Sequence, residues 1–185
     1  MKKNRQLLYD DYSLDYYRIL GKKYKYGIRS FVDRCIHHNL QFVFYYRNYM
    51  IKHDFFSKFM LYKLKKKYGL EISSKCIIGK GFYVGHPYNI TIGDGVILGK
   101  NVNVHKGCTI GTSNRGKIGS PVIGNNVYIG INSTIVGNIS VGNDVLIAPN
   151  CYVNIDIPDH SVVIGNPAVI HSKLNATENY VNFTV

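Results

Sequence analysis

A chain of 185 residues with a net charge of +12 can bury one substantial core without disulfide or metal staples. No apolar run approaches the length of a membrane span, and the basic start, MKKNRQLLYD, lacks the apolar stretch of a secretory signal, so the expected location is the cytoplasm. Charge is concentrated at the front: residues 1–70 hold 16 Lys and Arg against 5 acids, whereas 71–185 hold 7 against 6. That asymmetry weighs against a nucleic-acid groove along the whole protein, and no nucleic acid is expected among its partners. It leaves either a solvated helical face or attraction of the front segment to an anionic partner such as a membrane surface.

From Leu7 to Tyr68 the apolar residues follow no period of two, and the stretches IRSFVDRCIHHNLQFVFYYRNYM and DFFSKFMLYKLKKKYG suit helices. The second carries Phe55, Phe59 and Tyr62 on one stripe, with Gly69 as its stop. Eleven of the sixteen tyrosines lie in this segment, which points to packing between helices or at a subunit contact. Residues 1–70 are therefore read as a small, basic, α-helical segment.

After Gly69 the period becomes six. Aliphatic residues stand at Ile72, Ile78, Val84 and Ile90. A two-residue slip resets them to Ile92, Leu98, Val104 and Ile110. After a longer interruption they return at Ile123, Ile129, Ile135, Val141, Ile147 and Val153. A small residue usually follows each, as at Gly79, Gly99 and Gly124. A helix makes no face from this period, but a parallel β-helix does: each hexad supplies one short strand and one corner, and three hexads make a coil. About four coils are expected. The four cysteines form no CxxC pair, and Cys76, Cys108 and Cys151 fall at matching places in the repeat, as small buried fillers.

Residues 71–170 resemble the hexapeptide-repeat acyltransferases, and the closing IGNPAVI at 164–170 is similar to the segment that ends many such domains. The stretches EISSKCIIGKGFYVGHPYNITIG and GCTIGTSNRGKIGSPVIGNNVYIG resemble the serine acetyltransferase-like branch. The resemblance implies an all-β, left-handed parallel β-helix after the helical segment, with residues 171–185 as a tail. It also implies acetyl-CoA as donor, a homotrimer whose donor groove lies between subunits, and no metal. Only His86 and His105 converge, with His160 and His171 far along the chain, whereas a zinc site on this fold would need three histidines.

By the same resemblance His86 stands at the position of the branch's catalytic histidine and Glu71 at that of its carboxylate partner. An alcohol attacking a thioester needs a base to take its proton, and imidazole suits that task near neutral pH. Three hexads beyond Val84 comes Val104, so His105 and Lys106 should lie one coil above His86, where either could hold the acceptor or donate to the oxyanion. Loop 111–122 should project toward an adjacent subunit. Gly111, Thr112, Ile131 and Pro149 match positions where the branch lays coenzyme A, and Arg115, Lys117 or Lys173 could meet its phosphates.

Two departures bear on the acceptor. The branch has an acid before its histidine and an Arg-His pair in the loop, where this chain has Gly85 and Gly119-Ser120. Without the acid and the Arg-His pair serine loses its anchors, so the expected acceptor is the hydroxyl of a sugar or polysaccharide precursor. Val169 stands where a basic residue that contacts the coenzyme A phosphates commonly follows Pro-Ala. The alternatives are a serine O-acetyltransferase and a non-catalytic β-helix scaffold.

Overall fold

A computed structural model describes residues 2–185, with side chains from residue 9 onward. Four helices come first: α1 (Lys2–Leu20), α2 (Ile28–Ile36), α3 (His38–Lys52) and α4 (Phe55–Tyr68). The stretch 28–50 is two helices, not one, because His37 takes an extended backbone that ends α2 and starts α3. Helix α4 begins where the Asp54 side chain accepts the Ser57 N–H at 2.8 Å, and ends at Gly69, whose left-handed φ of 68° lets its N–H return to the Lys65 carbonyl.

From Leu70 onward the hexads build a β-solenoid with three parallel faces. The first face stacks strands Leu70–Ile72, Ile90–Ile92, Thr109–Gly111, Thr134–Val136 and Tyr152–Val153. The second stacks Ile77–Ile78, Ile97–Leu98, Val122–Ile123 and Ser140–Val141. The third stacks Tyr83–Gly85, Asn103–His105, Val127–Ile129, Val145–Ile147 and Ser161–Ile164, with Val169–Ser172 added antiparallel at its end. Five strands on the first face correct the expected four coils to five, because the hexads continue past Val153 through Ile157 and Val163.

Register explains the breaks in period. Ile72 pairs with Ile92 but Ile92 with Ile110, so the first coil is two residues longer, the excess falling in the corner His86-Pro87-Tyr88-Asn89. Ile110 pairs with Ile135 across the 111–122 loop. The inward residues form a dry prism: Val84, Ile90, Val104, Ile110, Ile129, Ile135, Ile147 and Val153 are fully buried, with Cys108 among them. Coils approach closely at the corner after the second-face strands. A Cβ on Gly99 would lie 2.5 Å from the Gly124 carbonyl oxygen.

One buried ion pair joins helices to solenoid. Arg47 of α3 donates to both oxygens of Asp15 on α1, at 2.8 and 3.2 Å, and to the carbonyls of Ile78 and Gly79 at 2.7 and 2.6 Å. Asp15 in turn accepts the Phe82 N–H at 2.8 Å. Residues 173–185 then return along the third face: Asp144 accepts the N–H groups of Ala176 and Thr177, Asn103 donates to the Tyr180 carbonyl, and Asn101 bonds Val185 twice.

Candidate active site

His86 occupies the corner between the third and first faces, exposed, with a left-handed φ of 49°. The extra two residues of its coil make this corner wide, and the Tyr88 N–H turns back to the His86 carbonyl at 2.7 Å. Helix α3 buttresses the corner from below: Asn39 donates to the Val84 carbonyl, and the His38 ring stacks on Tyr68 and meets Tyr88 edge-on. The imidazole of His86 thus stands free of hydrogen bonds among the described residues, on a rigid support.

Pairing of Gly85 with His105 sets the coil above in register, as the hexad count anticipated, and brings the His86 and His105 rings to 6.5 Å. Lys106 is exposed beside them. His105 differs from expectation in being half-buried, its ring 4.7 Å from that of Tyr128. Burial, and then the neighbouring His86, push its imidazole down to about 4, so it is neutral at pH 7. Its ring lies over Gly85, where a Cβ would sit 2.4 Å from Cε1 and Nδ1. The missing acid at residue 85 therefore has a packing cause: His105 fills the space that a side chain there would need.

Glu71 does not join His86 within the chain. It lies on the first face, in register with Thr91, and accepts the Lys65 ammonium at 2.6 Å. Charge explains the change of partner, since Lys65 closes the last turn of α4 directly before the first strand. No hydrogen bond or ion pair links Glu71 to the imidazole.

The cofactor-binding candidates fall into separate groups. Ile131 and Pro149 continue the corner line of His86 and Lys106, coil upon coil: the Asn132 N–H bonds Lys106 and the Asn150 N–H bonds Ile131. Gly111 and Thr112 lie at the opposite edge of the first face, where the loop begins. Space above Gly111 is open, so a ligand can approach its backbone. The loop is a closed hairpin, Ser113 bridging Gly119, with Thr112 and Ser120 hydroxyls 2.9 Å apart. Lys117 is taken by Asp156, whereas Arg115 is exposed at the hairpin tip. Gly119 has a φ of 130°, a backbone that a branch-type arginine or histidine would strain. Lys173 is exposed at the far end, beyond the antiparallel strand, its N–H on the His160 carbonyl. Within one chain the width of the first face thus separates the His86 corner from the loop edge.

Sequence reasoning missed Arg18, Asn103 and the returning tail, which lie against the third face beside His105. No local signal marks them, because they meet across 85 residues of chain. Among the described residues no three metal-ligating side chains gather, and no helix is long and apolar enough to cross a membrane.

A family model described as bacterial transferase hexapeptide (six repeats) matches residues 120–154. The serine acetyltransferase of Helicobacter pylori is 34% identical over 106 residues, covering 57% of this chain and 62% of that protein. The Buchnera aphidicola serine acetyltransferase is 34% identical over 132 residues, covering 70% of this chain and 51% of that one. The chain spans about a third to two thirds of the length of the curated relatives it matches. In structure, the Neisseria gonorrhoeae serine acetyltransferase in complex with serine superposes with a TM-score of 0.67 at 25% identity, over 92% of this chain and 70% of that one. The Brucella abortus serine acetyltransferase shares the fold, with a TM-score of 0.72 at 21% identity, over 93% and 71% of the two chains. These findings overturn the expected sugar or polysaccharide acceptor: the similar proteins are serine acetyltransferases in both sequence and structure, and the glycines that argued otherwise have packing causes. In repeat, solenoid and matched segment the chain is similar to the hexapeptide-repeat transferases.

Proposed function

We propose that the protein is an acetyl-CoA-dependent O-acetyltransferase whose acceptor is the hydroxyl of serine, with His86 as general base. The observation that carries this reading is the corner itself: an exposed, unbonded imidazole on a rigid turn, in line with Lys106, Ile131 and Pro149. When bound, acetyl-CoA supplies the acetyl thioester. Gly111 offers it backbone at an open position, Ile131 and Pro149 a surface along the corner line and Arg115 a free charge, whereas Lys117 is held by Asp156.

His86 takes the hydroxyl proton as the oxygen attacks the acetyl carbonyl, and returns it to the departing sulfur. Lys106, beside it and free of an acid partner among the described residues, holds the acceptor carboxylate. His105, neutral, packs the floor and adds no positive charge next to the base. Because one chain keeps loop 111–122 a sheet's width from His86, a neighbouring copy brings its loop to this corner. The assembly is a closed trimer, with each site shared between two subunits.

The test is thiol release from acetyl-CoA with L-serine as acceptor, combined with light scattering. Saturable turnover with serine by a species of about three chains is expected. No turnover above the hydrolysis background would remove the reading, and a fully active monomer would remove the shared site.

A further inference from the structure

Between α1, the third face and the returning tail lies a cavity of about 300 Å³ that the proposed transfer does not use. Arg18, Asn103 and His105 form its polar wall, and Tyr128, Tyr180 and Phe183 its aromatic one. Arg18 is 2% exposed. Its Nε donates to the Gly81 carbonyl at 3.1 Å and one terminal nitrogen to Asn103 Oδ1, both neutral acceptors. A guanidinium carries five N–H donors, so three are left over.

Counter-charge is missing as well. The buried carboxylate nearby, Asp15, is engaged by two bonds from Arg47 and one from the Phe82 N–H. Among the described residues no carboxylate lies within ion-pair distance of Arg18. The joint between helices and solenoid therefore holds two buried arginines against one buried aspartate. A cation taken out of water without a counter-ion is costly even with the Tyr83 ring 6.0 Å away, and burial already pulls the Arg18 guanidinium down to about 10. On the same wall His105 keeps a buried Nε2 with no hydrogen-bond partner.

We propose that this cavity binds a small organic carboxylate, its two oxygens taken by the free N–H groups of Arg18 and its carbon skeleton lying against Tyr128, Tyr180 and Phe183. A planar guanidinium matches a carboxylate with two parallel bonds, which fixes the class of ligand. Three aromatic rings favour a ligand with carbon to bury over a bare inorganic ion. Two of those rings belong to the tail, so the occupied site ties residues 179–183 to the solenoid. The site does not depend on the acceptor or on acetyl transfer.

Sodium benzoate is the probe, titrated into the full chain by calorimetry at fixed ionic strength, with sodium chloride and inorganic phosphate in parallel. Saturable benzoate binding with no response to chloride is expected. Asn103→Asp places a carboxylate beside Arg18 and should weaken benzoate at least tenfold while the protein stays folded. Tyr180→Ala, on the half-exposed tail, should weaken it through loss of the aromatic wall and guards against a folding defect in the first variant. No saturable benzoate binding, or unchanged affinity in both variants, would overturn the site. Binding of phosphate in place of benzoate would overturn its assignment to carboxylates.

Discussion

The helical segment and the solenoid use apolar residues in opposite ways. In the solenoid every inward hexad residue from Val84 to Val153 is at most 3% exposed, and the larger apolar residues that point outward, Ile77, Ile97 and Val122, stack in one row on the second face. In the helical segment Tyr26, Ile28 and Phe55 are more than 80% exposed, while the buried joint is an ion pair and its hydrogen bonds. A repeating coil assigns fixed positions of each hexad to the prism, so its apolar residues are buried or exposed in rows. A helix packed by one stripe keeps a second face, here apolar and basic, that nothing in a single chain covers. The contrast separates tasks: the solenoid holds a rigid corner for chemistry, and the helices supply surface and a strut beneath that corner.

The largest effect should come from the corner. His86→Ala should lower turnover by about 10² to 10⁴-fold, the usual worth of positioned proton transfer, with the melting temperature nearly unchanged because the ring makes no hydrogen bond. Steady-state rates with a thermal melt measure both. Wild-type turnover in this variant would assign the chemistry elsewhere and break the division of tasks.

Next in size is the joint. Asp15→Ala leaves Arg47 buried without its partner and the Phe82 N–H unbonded, at a cost of about 3–5 kcal/mol. If the two regions are separable, denaturation followed by far-ultraviolet dichroism should then show the helices lost before the sheet signal. A single transition displaced as a whole would show that the prism has no stability of its own.

Much of this was legible in the sequence where one residue decides one position. The period of six named the inward residues correctly from Ile78 to Val153, and the phase slip marked the wide corner at His86. Register between hexads put His105 over Gly85. What could not be read depends on groups far apart in the chain. Lys65 captures Glu71 from the end of α4, and Asp156 captures Lys117 from two coils further on. The fifth coil was missed because Ile157 and Val163 leave the strict spacing. The acceptor was misread because a missing charge at Gly85 looked like altered specificity when it was room for a neighbouring ring. The same stacking gives a third prediction: Gly99→Ala, with its methyl group 2.5 Å from the Gly124 oxygen, should cost about 1–3 kcal/mol as coils are forced apart. Chemical denaturation of the two proteins reads it directly, and an unchanged midpoint would mean the coils are less tightly stacked than described.

The smallest effect concerns His105, where the sign follows from its depressed pKa. In the folded chain the ring stays neutral down to about pH 4, because burial and the nearby His86 oppose its charge. In the unfolded chain a histidine takes its proton near 6.5. Between those values the unfolded state binds more protons, so stability is full above about pH 6.5 and falls as the pH drops toward 4. The ring is only half-buried, and solvent screening reduces the loss to on the order of 1 kcal/mol. Melting temperatures of the wild type and His105→Gln across pH 4 to 7 separate this contribution from His38, which is shifted in the same direction and is common to both proteins. The variant should lose stability less steeply than the wild type over that interval. Equal slopes would mean that the ring over Gly85 meets water freely, and the packing account of that glycine would fall with it.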